Sequence, residues 1–334
     1  MKHLLSLSDL TPDEFMGLLD LAVKLKTELR KKGRNKPRLK GKTLGMIFQK
    51  PSLRTRVSFD MAMIQLGGQA LYLSPNEISL GKRESVADVA RVLSRYVDGI
   101  QARVFAHADV VELAKYSRVP VVNGLSDYSH PCQGAADLLT IYEHKGSRKG
   151  SLKGLKVAFI GDGNNVATSL AFGCALAGAH FIAASPKGYT LSAPVVARAT
   201  EIGQATGSTI TLVRDPVEAA RDADVIYTDV WTSMGQEEET EKRLKVFAPT
   251  YQINAELVSH AAPGYIVMHC LPAHRGQEIT DDVCDDEEHS ALWDQAENRM
   301  HAQKAILVEL MADKKPSGKK ASKARTKSKA KRKK

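Results

Sequence analysis

Strand-like runs alternate with helical patterns along this chain, and the alternation is broken once. Four runs, at 43–48 (TLGMIF), 69–74 (QALYLS), 99–105 (GIQARVF) and 119–124 (VPVVNG), precede a stretch at 143–154 rich in Gly, Ser and Lys. Five more follow it, at 156–161, 180–185, 209–214, 224–230 and 265–270. A strand that rejoins its sheet through a helix lies parallel to its neighbour, so each series predicts a mostly parallel sheet flanked by helices. The expected fold class is therefore α/β with two domains, divided as 1–146 and 147–295. A last helical pattern at 296–312 lies far enough from the linker to cross back to the first domain. A length of 334 residues suits two domains and is ample for a buried core.

The first helix is marked at both ends. Thr11 can cap, Pro12 suits the first helical position, Glu14 completes a capping box and Gly33 stops the helix, after an apolar stripe of Phe15, Leu18, Leu19, Ala22, Leu25 and Leu29. No apolar run approaches the roughly 18 residues of a membrane helix, and the opening MKHLLSLSDL turns acidic too soon for a signal peptide. A cytoplasmic protein with no membrane partner is expected. Cys132, Cys174, Cys270 and Cys284 stand far apart without a C-x-x-C pair, so neither a disulfide framework nor a zinc ribbon is indicated.

A net charge of +10 suggests a nucleic-acid partner until its location is read. Residues 314–334 hold 12 Lys or Arg and no acid, which leaves 36 basic against 38 acidic residues in the body. The tail, 313–334, has no aromatic or large apolar residue and is expected to be disordered. Its plain reading is a solubilising appendage; its sharper reading is weak polyanion binding by residues 314–334.

Chemistry concentrates at the ends of strands. After the first run comes Pro51-Ser52-Leu53-Arg54-Thr55-Arg56, leading into a helical pattern. Free backbone N–H groups at a helix start favour an anion, and two hydroxyls with two guanidiniums there would make a phosphate cradle; the plainer alternative is a capped helix with solvated arginines. His130-Pro131-Cys132-Gln133 opens another helix, and His269-Cys270-Leu271-Pro272 closes a strand. Either alone reads as structural, and it is their conjunction with the cradle that points to a site.

The stretch Gly161-Asp162-Gly163-Asn164-Asn165-Val166 follows a strand and superficially matches a dinucleotide fingerprint. Val166 replaces its third glycine, and the next strand ends in Ala184-Ser185 without the acid that would hold a ribose. A nicotinamide dehydrogenase is therefore disfavoured. The glycines suit a tight turn, with Asn164 and Asn165 directed into an inter-domain crevice.

Ser-x-Arg-Thr-Arg at 52–56, Ala-Arg-Val at 102–104, His-Pro-Cys-Gln at 130–133, Asp229 followed by Ser233-Met234-Gly235, and His-Cys-Leu-Pro at 269–272 together resemble the ornithine carbamoyltransferases over about residues 1–312. The first and third motifs are shared with aspartate carbamoyltransferases; the segment from Asp229 and His-Cys-Leu-Pro select the ornithine branch. The resemblance implies that 1–146 binds carbamoyl phosphate and 147–295 binds ornithine, with no metal and no cofactor.

Residue by residue, the resemblance assigns Ser52, Leu53, Arg54, Thr55 and Arg103 to the phosphate. It assigns His130, Gln133 and Arg103 to the carbamoyl end, with Pro131 and Cys132 in the same motif, and Cys270, Leu271 and Arg299 closing the pocket. Asn165, Asp229, Ser233 and Met234 would hold ornithine. Arg54, Thr55, Arg103, His130 and Cys270 would be catalytic. The loop at 77–85 would reach a neighbouring subunit's pocket through Ser79, where relatives often carry Gln or His, which implies a homotrimer with shared sites. A carbamoyltransferase for a related acceptor such as putrescine is the nearest alternative.

Overall fold

A computed structural model describes residues 1–146, 151–233 and 235–313. Its first sheet comprises β1 (Thr43–Phe48), β2 (Gln69–Leu73), β3 (Gly99–Arg103) and β4 (Val121–Leu125) in the order β2-β1-β3-β4. The second comprises β5 (Lys156–Ile160), β6 (His180–Ala184), β7 (Ile210–Val213), β8 (Val225–Thr228) and β9 (Ile266–His269) in the order β7-β6-β5-β8-β9. Every pairing within both sheets is parallel. The α/β class with two parallel sheets is as expected, each strand falling within its sequence run except β4, which continues one residue past its own to Leu125.

In each sheet the winding direction reverses once, at β1/β3 and at β5/β8. Ligands of open α/β sheets bind beyond the carboxyl ends of strands at such a reversal, because the connections diverge there and leave a crevice. The cradle follows β1, Arg103 ends β3, Asp162 to Asn165 follow β5, and Asp229 follows β8. The topology thus aims both reversals at one cleft.

The helix Pro12–Lys32 has the capping box that its sequence announces: the Thr11 hydroxyl accepts from the Glu14 N–H, and the Thr11 N–H donates to the Glu14 carboxylate. Gly33, at φ 66°, closes it. Its buried face packs against the last helix, Leu292–Met311, which also contacts the helices Leu53–Gln65 and Pro131–Ile141 and so crosses back to the first sheet. That last helix begins earlier than 296. Ala291 caps it without a side-chain hydrogen bond, so no capping residue marked the start. One core runs through both sheets, from Phe15 and Phe48 through Leu138 and Phe172 to Ile306. The expected basic tail lies outside the described residues, save Asp313.

Candidate active site

Ser52 caps the helix Leu53–Gln65. Its Oγ accepts from the Thr55 N–H at 3.4 Å and donates to Thr55 Oγ1 at 3.2 Å, and no acid occupies the first turn. That leaves an uncontested positive helix end facing the cleft. Arg54 reaches across to the Leu271 carbonyl at 2.8 Å. Arg299, from the last helix, donates to Thr55 Oγ1 at 3.2 Å and to Gln133 Oε1 at 2.5 Å. Arg103 stands beside them. Burial, with Arg299 and Arg54 nearby, pushes its guanidinium down to about 10.

His130 caps the helix Pro131–Ile141, and its backbone N–H donates to Ser169 Oγ at 2.8 Å. Burial first, then Arg299, Arg103 and Arg54, hold the imidazole well below its ordinary range, so it stays neutral. Its buried Nδ1 has no hydrogen-bond partner among the described residues. Helical phase separates the motif: His130 and Gln133 line the cleft, whereas Pro131 and Cys132 are buried outside its lining. The Cys132 thiol faces the Asn123 carbonyl at 3.5 Å, and burial pushes it up to about 12.

The opposite wall is organised by Asp229. Its Oδ1 accepts from the Val230 N–H at 2.8 Å and from Cys270 Sγ at 3.0 Å; its Oδ2 accepts from Asn164 Nδ2 at 2.8 Å. Asn164 also donates to Ser233 Oγ at 3.3 Å while its own Oδ1 caps the helix Asn165–Ala177. Burial, then the neighbouring Asp229, push the Cys270 thiol well above its ordinary range. Asn165, assigned to ornithine by resemblance, donates to the Ser126 carbonyl at 2.6 Å and bridges the two domains. Met234 lies outside the described residues. Gly163 is required by packing: a Cβ there would come within 2.3 Å of the Leu191 backbone nitrogen, so this turn is filled by protein backbone where a pyrophosphate would need to approach.

Leu271 adopts φ 60°, a left-handed conformation that costs a branched residue energy and persists only where neighbours enforce it. Its N–H donates to His269 Nδ1 at 2.9 Å, while its carbonyl is held by Arg54. Since Nδ1 accepts, Nε2 carries the ring proton and donates to buried Glu278 Oε1 at 3.0 Å. Asp229, His269 and Cys270 present ligand atoms within 4.8 Å of one another, but both imidazole nitrogens are thereby engaged, which disfavours a metal.

The cleft between these walls encloses about 1660 Å³. Ser52, Leu53, Arg54, Thr55, Arg103, His130, Gln133, Asn165, Asp229, Ser233, Cys270, Leu271 and Arg299 all line it. Ser79 does not line the cleft of its own chain; it ends the short helix Pro75–Ile78 with its hydroxyl on the Pro75 carbonyl. Sequence reasoning missed the bond to Asp229 from Asn164, the Glu278 support and a buried ion pair of Arg243 with Asp162 at 2.8 Å. Asn164 carried a signal as a cap at a strand-to-helix turn; Glu278 and Arg243 sit in polar stretches with none.

Residues 2–143 match the family model described as the carbamoyl-P binding domain of aspartate/ornithine carbamoyltransferase, and residues 153–310 match its Asp/Orn binding domain. The chain is 54% identical over 310 residues to the ornithine carbamoyltransferase of Pyrococcus abyssi, covering 93% of this chain and 96% of that one. It is equally similar, over the same shares, to an anabolic ornithine carbamoyltransferase of Pyrococcus furiosus. Among solved structures, ornithine carbamoyltransferase from Pyrococcus furiosus superimposes with a TM-score of 0.87, covering 93% and 97% of the two chains at 54% identity. A mitochondrial ornithine carbamoyltransferase from Coccidioides immitis gives 0.84 at 37% identity, covering 93% and 97%.

Proposed function

The chain belongs to the aspartate/ornithine carbamoyltransferase family, and on that premise we propose that it is an ornithine carbamoyltransferase, converting carbamoyl phosphate and L-ornithine to L-citrulline and phosphate. The observation that carries this reading is the sorting of charge in one cleft: a capped helix start with Arg54, Arg103 and Arg299 on one wall, and Asp229 with the Cys270 thiol on the other. A dianionic phosphate and an amino acid headgroup need those two environments on either side of a reacting carbon.

Ser52, Arg54, Thr55 and Arg103 hold the phosphate, with the backbone of Leu53 at the helix start. Neutral His130 and Thr55 donate to the carbamoyl oxygen, Gln133 and the Leu271 carbonyl face its amide, and Arg299 fixes Gln133. Asp229, with Ser233, holds the α-ammonium of ornithine. The neutral δ-amine attacks the carbamoyl carbon, a tetrahedral intermediate collapses with scission of the bond to phosphate, and the proton shed by nitrogen leaves on the phosphate. Preorganised donors stabilise charge as it grows on both oxygens, so positioning and electrostatics supply the catalysis.

The assay is citrulline formation against a panel of acceptors. L-Ornithine should be the best substrate, with putrescine and aspartate poor; faster turnover of putrescine would overturn the assignment of Asp229.

The same reading covers assembly and location. Leu53, Val57, Met61 and Ile64 make an exposed apolar stripe on the cradle helix, continued by Leu71 on edge strand β2, which supports a homotrimer whose loop 77–85 brings Ser79 to a neighbour. Sedimentation should give three chains per particle. The domains divide as 1–146 and 147–295, the protein is cytoplasmic, and its role is arginine synthesis. For polyanion binding, the supporting observation is a stretch at 30–42 with eight Lys or Arg and no acid, joined by Lys42 to Asp313 at 3.2 Å, where the basic tail begins. Salt-sensitive retention on RNA that disappears when the chain ends at Asp313 is the expected result.

A further inference from the structure

Asp137 lies one helical turn beyond Gln133, fully buried where three elements meet. Its Oδ1 accepts from Gln133 Nε2 and from Gln295 Nε2, both at 2.7 Å, and its Oδ2 accepts from the Tyr227 hydroxyl at 3.1 Å. Gln133 belongs to the first domain, Tyr227 to β8 of the second and Gln295 to the last helix. Each amide has its second end committed. Gln133 Oε1 takes Arg299, which continues to Thr55 in the cradle, and Gln295 Oε1 takes the His269 N–H, immediately before Cys270.

An amide has a donor end and an acceptor end, and a neighbour that only accepts decides which way it faces. With its Nε2 drawn to the Asp137 carboxylate, Gln133 must present its oxygen to Arg299 and the cleft. We propose that Asp137 is a positioning residue: it fixes the orientation of Gln133, and through it Arg299, for the carbamoyl group, and ties them to the turn that carries Cys270. This rests on the carbamoyl phosphate reading of the cleft. A structural carboxylate in a core would need only to be satisfied; this one receives three donors, and two of those side chains reach on toward opposite walls of the site.

The surroundings set its protonation. Burial pushes the carboxyl up to about 7, against hydrogen bonds from Gln133, Gln295 and Tyr227 and the nearby Arg299 guanidinium. The Cys174 thiol, the Cys270 thiol and the Tyr227 phenol also face it. A protonated Asp137 would bring one more donor to a ring that already holds three, so one neighbour would have to turn away. Affinity for carbamoyl phosphate should therefore weaken as pH falls through this range.

The test is a double-mutant cycle on the full chain, with carbamoyl phosphate binding measured calorimetrically without ornithine and KM measured for both substrates. D137N keeps the shape but adds a donor. It should weaken carbamoyl phosphate about tenfold, the effect expected when a charge-assisted contact is lost, while the KM for ornithine changes little. In a Q133A background, D137N should add almost nothing, because the group it orients is gone. Full additivity, or equal losses for both substrates, would overturn the proposal and leave a purely structural carboxylate. If D137N does not fold, Y227F removes one of the three donors at less cost; the carboxylate then loses a hydrogen bond that held its pKa down, so the pH below which carbamoyl phosphate binding weakens should move upward, and an unmoved pH dependence would overturn the proposal. Wild-type protein that binds carbamoyl phosphate but does not carbamoylate ornithine would overturn the acceptor assignment alone, and protein that does not bind it would overturn both.

Discussion

On one wall of the cleft three guanidiniums crowd a helix start; burial first, and then their nearness to one another and to the imidazole, hold Arg103 down to about 10 and keep His130 neutral. On the other wall the Asp229 carboxylate gathers the Asn164 amide and the Cys270 thiol, and burial together with this carboxylate pushes that thiol's pKa upward. The first wall gathers three guanidiniums, which the proposed phosphate would relieve; the second holds a carboxylate whose hydrogen-bond donors are neutral, which the proposed ammonium would relieve. Crowded like charges cost stability, and a site that keeps them does so because a ligand offsets the cost. The walls also differ in origin. The cationic wall rests on six consecutive residues plus two arginines, whereas the anionic wall is assembled from short loops after β5, β8 and β9.

The sharpest way to break this comparison is to remove one charge from the cationic wall. Arg54→Ala loses a donor that meets charge growing on the departing phosphate, and turnover should fall about 10² or more, the scale of losing one preorganised donor. Steady-state kinetics with both substrates would show it. Near-normal turnover and carbamoyl phosphate affinity would mean that the cradle is misplaced and that Arg54 serves only to hold the Leu271 carbonyl.

The complementary change on the anionic wall should be smaller and fall on the other substrate. Asp229→Asn keeps the shape and removes the charge, so the KM for ornithine should rise about tenfold or more while carbamoyl phosphate binding is retained. A loss of carbamoyl phosphate affinity of similar size would show that the two walls are not independent.

What could be read from the sequence follows the same division. Alternating runs located every strand, and the cradle stood out because a capping serine, two guanidiniums and a helix start are neighbours in the chain. Asp229 was reached only through the resemblance that it carries together with Ser233-Met234-Gly235. Asp137 was not reached at all, since it sits 90 residues from Tyr227 and 158 from Gln295, and neither spacing leaves a local trace. Glu278 was hidden for a related reason: an acid in a polar loop looks solvated until the fold buries it against His269. The motif 130–133 gave too much, because a contiguous stretch treats Cys132 like its neighbours although helical phase turns it toward the core.

The smallest expected effect tests the thiol. Burial and the Asp229 carboxylate raise the Cys270 pKa well above its ordinary 9.0, so the group proposed to meet the reacting amine is a neutral S–H donating to Asp229 Oδ1. A thiol so held accepts no proton until the solution is more alkaline than its raised pKa, which places proton uptake from the δ-amine elsewhere. Cys270→Ser keeps a donor on a shorter bond, so Asp229 should stay in place with slightly poorer aim. The KM for ornithine should rise only about threefold, the cost of a weakened neutral hydrogen bond, and the pH–rate profile should hold its position. A profile whose limb moves in the serine variant would make the thiolate the base. The anionic wall would then supply a reacting group as well as a binding charge, and the cationic wall alone would do the positioning.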